Sequence, residues 1–300
     1  MEQTIFKAEN IAKSFKTKNV YKDLSFSINR GDVLAVMGPN GVGKTTLLRT
    51  MAGLYEPDAG EITRADGEGG RSYCSVLFEF NGLYPILTLR ENLAFFQSLN
   101  NNRKLGDDVW AVIGRLGLND VIDKQVKYFS KGMLRKVAIA RAVLNNPKLL
   151  ILDEPFDGLD VESHAFLCDY LKDWVREGDR AIIISSHSVA DIDRMCSRLM
   201  LLKSGAKIRD ITIDEFKNET YIGYTVGFSE ADSSDMVENS LRELGINFSA
   251  IDNMEYVLDI GIDDAPDVIS KLCKRDRKIV RAGAAMMDLE KVYLRYYEEK

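Results

Sequence analysis

Two apolar runs stand out along the chain, and each ends in residues of a different kind. Val33-Leu34-Ala35-Val36-Met37 contains no polar position and runs into a glycine-rich segment. Leu149-Leu150-Ile151-Leu152 is of the same type and ends at Asp153-Glu154-Pro155. A run that is apolar at every position suits a strand covered on both faces. Between the two runs, Leu89–Phe96 and Val109–Leu116 carry apolar residues at helical spacing. After Gly205 the pattern changes again. Strand-like runs at Tyr221–Phe228 and Tyr256–Ile260 alternate with helical ones near Met236–Leu244 and Val268–Cys273, which predicts a small α+β appendage.

The segment after the first run is Gly38-Pro39-Asn40-Gly41-Val42-Gly43-Lys44-Thr45-Thr46, and the apolar stretch Leu47-Leu48 follows it. Strand, glycine loop and helix in that order are the context of a P-loop. Backbone N–H groups wrap phosphates there, and the helix N-terminus adds a partial positive charge. The whole segment from Gly38 to Thr46 is therefore predicted to hold the phosphates of a nucleotide, a pattern shared by kinases, small GTPases and many ATPases. Lys44 is expected to reach the β- and γ-phosphates, and the Thr45 hydroxyl to ligate Mg²⁺. The second run places Asp153 and Glu154 at a strand end, where ligands bind in an open α/β sheet. Asp153 is expected to hold Mg²⁺ through its water shell, and Glu154 to act as general base toward the attacking water.

Three further segments narrow the reading. Phe129-Ser130-Lys131-Gly132-Met133 leads into Leu134–Leu144 shortly before the acidic strand, Asp157-Gly158-Leu159-Asp160 follows that strand, and Ile182-Ile183-Ile184-Ser185-Ser186-His187 comes later. In order and spacing they resemble the signature motif, D-loop and switch strand of ABC transporter nucleotide-binding subunits, a likeness covering roughly residues 4 to 205. The resemblance implies an α/β fold of the P-loop NTPase type, with a mixed-sheet core and a helical subdomain at about 86–145. The expected domains are a nucleotide-binding domain at 1–208 and the small C-terminal α+β domain at 209–300.

The same resemblance implies roles for individual residues. Ser130 and Gly132 would contact the γ-phosphate held by an opposite subunit, so that one chain cannot close its own site. His187, one of two histidines, would donate to the γ-phosphate, whereas His164 is read as structural. Phe15 would stack on adenine, and Asp160 of the D-loop joins the nucleotide-contacting set. In transporters the helical subdomain receives a membrane partner, which makes Phe80, Leu83, Tyr84, Phe95 and Phe96 candidates for that contact. The closing stretch Leu289–Tyr297 is similar to the terminal helix of the drug- and peptide-exporting branch.

Two departures from the family pattern stand out. Glu79 occupies the position of the glutamine in the Q-loop region; a carboxylate there can still ligate Mg²⁺ and adds negative charge. The signature segment has Phe129, Lys131 and Met133 where Leu, Gly and Gln are usual, while Ser130 and Gly132 are kept.

Composition bounds the partners. The net charge of −6 is uneven: from Asp210 onward 11 Lys and Arg stand against 20 Asp and Glu, leaving +3 for the rest. An acidic tail argues against nucleic-acid binding. No stretch approaches the roughly 20 apolar residues that span a bilayer, and Met1-Glu2-Gln3-Thr4 lacks the features of a secretory signal. Cys74, Cys168, Cys196 and Cys273 show no metal or disulfide spacing and are read as reduced thiols. The sequence is thus expected to encode the ATPase of an exporter, working as a homodimer or heterodimer with membrane-spanning permease subunits at the cytoplasmic face of the cell membrane. The rival readings are an importer ATPase and a soluble regulatory ATPase with weak hydrolysis.

Overall fold

The structure, a computed structural model, describes residues 4–16, 18–65, 73–78, 82–99, 107–144, 146–229, 231–252 and 254–298. Glu79, expected as a metal ligand, and Phe80, a candidate for partner contact, lie outside the described residues. The chain divides into two units, Met1–Ile213 and Asp214–Lys300.

In the first unit, β1 (Thr4–Phe15), β2 (Lys18–Asn29) and β3 (Val33–Met37) precede α1 (Lys44–Met51). There follow β4 (Ala59–Arg64), β5 (Cys74–Leu77), α2 (Leu89–Ser98) and α3 (Asp107–Arg115). Next come α4 (Lys131–Val143), β6 (Leu149–Asp153), α5 (Val161–Arg176) and β7 (Ala181–Ser185). The unit closes with α6 (Val189–Met195), β8 (Arg198–Lys203) and β9 (Ala206–Thr212). The main sheet has the order β5-β6-β7-β3-β8-β9. Its first five strands are parallel, and β9 runs antiparallel to β8.

Every position of β3, β6 and β7 is buried, as the unbroken apolar runs require of strands covered on both faces. An antiparallel sheet in the order β2-β1-β4 supplies one cover together with α1. Phe6, Ile11, Leu24, Ile28, Leu47 and Met51 share a core cluster with Leu34, Ile151 and Ile183. On α2, Thr88 and Glu91 form a reciprocal cap. The Thr88 hydroxyl accepts from Glu91 N at 3.2 Å, and the Glu91 carboxylate accepts from Thr88 N at 2.8 Å.

α7 (Ile213–Asn218) starts on the last residue of the first unit. The second unit contains β10 (Tyr221–Phe228), α8 (Ser234–Glu243), β11 (Phe248–Asp252), β12 (Glu255–Leu258), α9 (Ala265–Cys273), β13 (Ile279–Met286) and α10 (Leu289–Glu298). The sheet order β11-β12-β10-β13, antiparallel throughout, is that of the ferredoxin-like β-α-β-β-α-β arrangement. Val237, Leu241, Val268 and Leu272 of the two helices pack on Val226, Phe228, Tyr256 and Leu258.

Candidate active site

β6, β7 and β3 are neighbours, so the segments leaving their C-terminal ends converge at one edge of the sheet. β3 leads into Gly38, β6 into Glu154 and β7 into Ser186-His187. Gly43 caps α1 with φ 114°, and a Cβ there would lie 2.7 Å from Val20 Cγ1, so both conformation and space require glycine. The turn presents the first amides of α1 to a cavity of about 310 Å³. Asn40, Gly41, Lys44, Thr45, Arg135, Asp153, Glu154 and Asp157 line it.

Lys44 is 8% exposed, and its Nζ donates to Gly38 O at 2.7 Å and to Pro39 O at 3.4 Å. Burial pushes its pKa below the ordinary lysine value, while the charges of Glu154 and Asp153 oppose that shift. Asp153 is as buried as Lys44. Parallel pairing sets it opposite Ser185, whose Oγ donates to Asp153 Oδ1 at 2.5 Å. The same hydroxyl accepts from Glu154 N at 3.0 Å, and that amide also reaches Ser185 O at 3.2 Å.

Glu154 adopts φ 46°. Such a backbone costs a residue with a side chain about 1–3 kcal/mol and persists only where its surroundings hold it, as the two Ser185 acceptors do here. The Glu154 Oε2 atom lies 3.0 Å from His187 Nδ1. The His187 side chain is 67% exposed and that of Glu154 33%, so the pair stands at the open side of the site. Arg135 Nη2 donates to Glu154 O at 3.4 Å, and burial lowers the guanidinium pKa against the opposing charge of Asp157.

The remaining expected residues lie elsewhere in the unit. Ser130 caps α4, accepting from Met133 N at 3.2 Å. Gly132 sits against α5: a Cβ there would be 2.5 Å from Ser163 Oγ. Asp160 caps α5, accepting from Ser163 N at 2.8 Å and from Ser163 Oγ at 2.9 Å. These bonds hold its carboxyl below the ordinary aspartate pKa. None of Phe15, Ser130, Gly132 and Asp160 lines the cavity. Phe15 is 43% exposed, with its ring 5.3 Å from that of Tyr55 and the Lys13 ammonium 5.6 Å from its centroid. Sequence reasoning missed Arg135 and Ser185. The signal for Arg135 was a basic residue one turn beyond Gly132 on the same helix; nothing local marked Ser185, whose partner lies on another strand.

An anion-binding turn with Lys44 and Arg135 faces three carboxylates, and a divalent cation between phosphate and carboxylate satisfies both. The Thr45 hydroxyl and the Asp153 carboxylate are oxygen donors suited to Mg²⁺. Among the described residues no cluster of three or more His, Cys, Asp or Glu side chains could hold a metal alone. Phosphate and water would therefore complete the shell.

This is the site of a P-loop nucleotide hydrolase, and comparison with known proteins makes the class specific. The ABC transporter family model matches residues 21–157. YhcH of Bacillus subtilis (strain 168), an ABC transporter ATP-binding protein, is 31% identical over 239 residues, covering 76% of this chain and 78% of that protein. The Nod factor export ATP-binding protein I of Bradyrhizobium diazoefficiens is 35% identical over 217 residues, 68% of this chain and 71% of that protein. Among solved structures, cbiO1 from Clostridium perfringens, part of the ABC transporter complex cbiONQ, aligns with a TM-score of 0.64 at 25% identity. That alignment covers 80% of this chain and 96% of that one. The chain belongs to the ATP-binding proteins of the ABC transporter family. It is an ATPase whose hydrolysis is coupled to transport, and subunits of this kind dimerise and work with membrane permease subunits. No described helix is long and apolar enough to cross a membrane.

Proposed function

We propose that the chain powers export, and that each of its catalytic sites is completed by the Ser130–Gly132 helix terminus of a second nucleotide-binding subunit. The carrying observation is the split within one chain: Lys44, Thr45, Asp153 and Glu154 share a cavity that Ser130 and Gly132 do not line. The anion site at the α4 terminus lies beside the Asp160 cap of α5 and does not line the cavity that holds Asp153, Glu154 and Asp157, so its use is on another protomer's phosphate.

The residues divide the chemistry as follows. The amides of Gly38–Thr46 and the Lys44 ammonium bind the phosphates, and Phe15 stacks on adenine. Thr45 and Asp153 would hold Mg²⁺, which when bound would supply positive charge to the phosphates. Glu154 takes the proton of the water that attacks the γ-phosphorus, as the bond to ADP breaks. His187 orients the Glu154 carboxylate through their 3.0 Å contact and donates to the γ-phosphate as charge spreads there. Asp160 fixes the start of α5 beside Gly132. Closure of the dimer on ATP and reopening after hydrolysis supply the movement.

An aromatic patch supports docking of a membrane partner. The Tyr84 and Phe95 ring centroids are 4.8 Å apart and those of Phe95 and Phe96 5.3 Å, while Tyr84 is 45% and Ile86 71% exposed. Similarity to the Nod factor export ATP-binding protein of Bradyrhizobium favours export. Reconstituting the ATPase in liposomes with the permease that co-purifies from its membrane tests direction. Export predicts substrate leaving the face that carries the ATPase; movement toward that face overturns it.

A further inference from the structure

We propose that His164 is a positioning residue for hydrolysis, tying the segment after β6 to the segment after β7 through Asp191. The inference rests on the reading of His187 as the donor to the γ-phosphate. His164 lies in the first turns of α5, just past the Asp160 cap, and its Nε2 is 2.7 Å from Asp191 Oδ1. With a carboxylate as acceptor, Nε2 carries the hydrogen.

Asp191 belongs to the first turn of α6, and its second oxygen accepts from Ser186 Oγ at 3.2 Å. Ser186 is 2% exposed and directly precedes His187. Its hydroxyl also accepts from Ser188 N at 3.0 Å, so the turn that carries His187 is bonded on both sides. On its other side the His164 ring meets Phe156, with centroids 4.9 Å apart and an interplanar angle of 60°. Phe156 follows Glu154 by two residues and is 5% exposed.

One imidazole therefore touches both ends of the machinery: the chain leaving the proposed base, and, through a shared carboxylate, the chain carrying the proposed donor. Side-chain exposures of 22% for His164 and 16% for Asp191 keep water from replacing the bond freely. The link spans β6, α5, α6 and β7, so it fixes Glu154 relative to His187 without touching nucleotide.

Two variants at this position and one at His187 separate the bond from the packing. His164→Phe keeps the edge contact with Phe156 and loses the donor; His164→Gln places an amide N–H near the position of Nε2; His187→Ala removes the donor itself. Steady-state ATP hydrolysis with Mg²⁺ is the readout, with circular dichroism melting as the fold control. The expected result is a roughly tenfold lower kcat in His164→Phe with KM for ATP within about twofold of native, and substantial recovery in His164→Gln. Should His164→Phe fail to fold, Asp191→Ala gives the second test, because it leaves neither the His164 N–H nor the Ser186 hydroxyl an acceptor, and the same kcat loss is expected. Native kcat in His164→Phe or Asp191→Ala, or equal losses in the Phe and Gln variants, overturns the proposal while an inactive His187→Ala leaves the site reading standing. Native activity in His187→Ala overturns the site reading and this proposal with it.

Discussion

Replacing Ser185 with alanine isolates one bond on which the site geometry depends. Its hydroxyl is fully buried, donates to Asp153 Oδ1 at 2.5 Å and accepts from Glu154 N at 3.0 Å. The Glu154 amide keeps a second acceptor in Ser185 O at 3.2 Å, so it is not orphaned by the change. Asp153 is the group that suffers. A carboxylate 8% exposed loses a charge-assisted bond that water reaches poorly. Hydrogen bonds to charged groups contribute about 1.5–3 kcal/mol, and removing a single hydroxyl leaves little void, so the expected loss is about 2 kcal/mol. For a unit of this size each kcal/mol moves the midpoint by about 2–4 °C, which predicts a fall of about 4–8 °C in the transition of the first unit. Differential scanning calorimetry of the nucleotide-free protein measures it. Since the left-handed turn at Glu154 is held by the same contact, kcat should fall as well. A midpoint within a degree of native would show that Asp153 does not depend on this hydroxyl, and the reasoning would fail.

Other expectations follow from separate features. In Gly132→Ala the new methyl meets Ser163 Oγ at 2.5 Å and Ser163 Cβ at 3.1 Å; overpacking predicts a loss of about 1–3 kcal/mol. Adding Ser163→Ala should return part of that loss in a melting experiment. Burial pushes the Cys168 thiol up to about 12 and Cys196 higher still, while Cys273 is exposed. At neutral pH the buried Cys168 and half-buried Cys196 thiols stay protonated, so iodoacetamide should label Cys273 first and the other two far more slowly until the protein is denatured, as read by mass spectrometry. Glu154→Gln should bind ATP and accumulate as a dimer in light scattering, with hydrolysis reduced at least a hundredfold. Native turnover in that variant would remove Glu154 from the role of base.

The parts of the fold legible in the sequence are those where one short segment settles its own environment. Val33–Met37 and Leu149–Leu152 carry no polar position, so strands buried on both faces follow directly, and the structure shows both. The reciprocal cap at Thr88 and Glu91 opens the helix that the spacing of Leu89–Phe96 predicts. The appendage was legible in β10, α8, β12, α9 and the closing helix α10, but not in its edge strands. Ile279–Met286 is half Gly and Ala, so its inward positions Ile279, Gly283 and Ala285 offer little apolar contrast with their neighbours, and at Phe248–Asp252 only Phe248 is partly buried. Its ferredoxin-like order depends on pairings between segments far apart, which no local pattern records.

Within the site, the gathering of Lys44, Thr45, Asp153 and Glu154 round one cavity follows from strand ends that the sequence marks clearly. The contacts of Ser185 and His164 were not legible, because each depends on a partner in another element, 32 and 27 positions away. His164 reads as structural from its place in the helical stretch after Asp160; its bond to Asp191 emerges only once α5 and α6 are packed.

Complementation between two inactive variants tests the sharing of sites between protomers most directly. Lys44→Ala disables the phosphate cradle of its own chain, and Ser130→Asp preserves the α4 cap while repelling a phosphate placed against it. Each alone should be nearly inactive. If sites are shared, half of the dimers formed from an equal mixture are heterodimers. Each of these contains one site built from a native cradle and a native Ser130, and hydrolysis returns to about a quarter of native. A mixture as inactive as its two components would contradict the account.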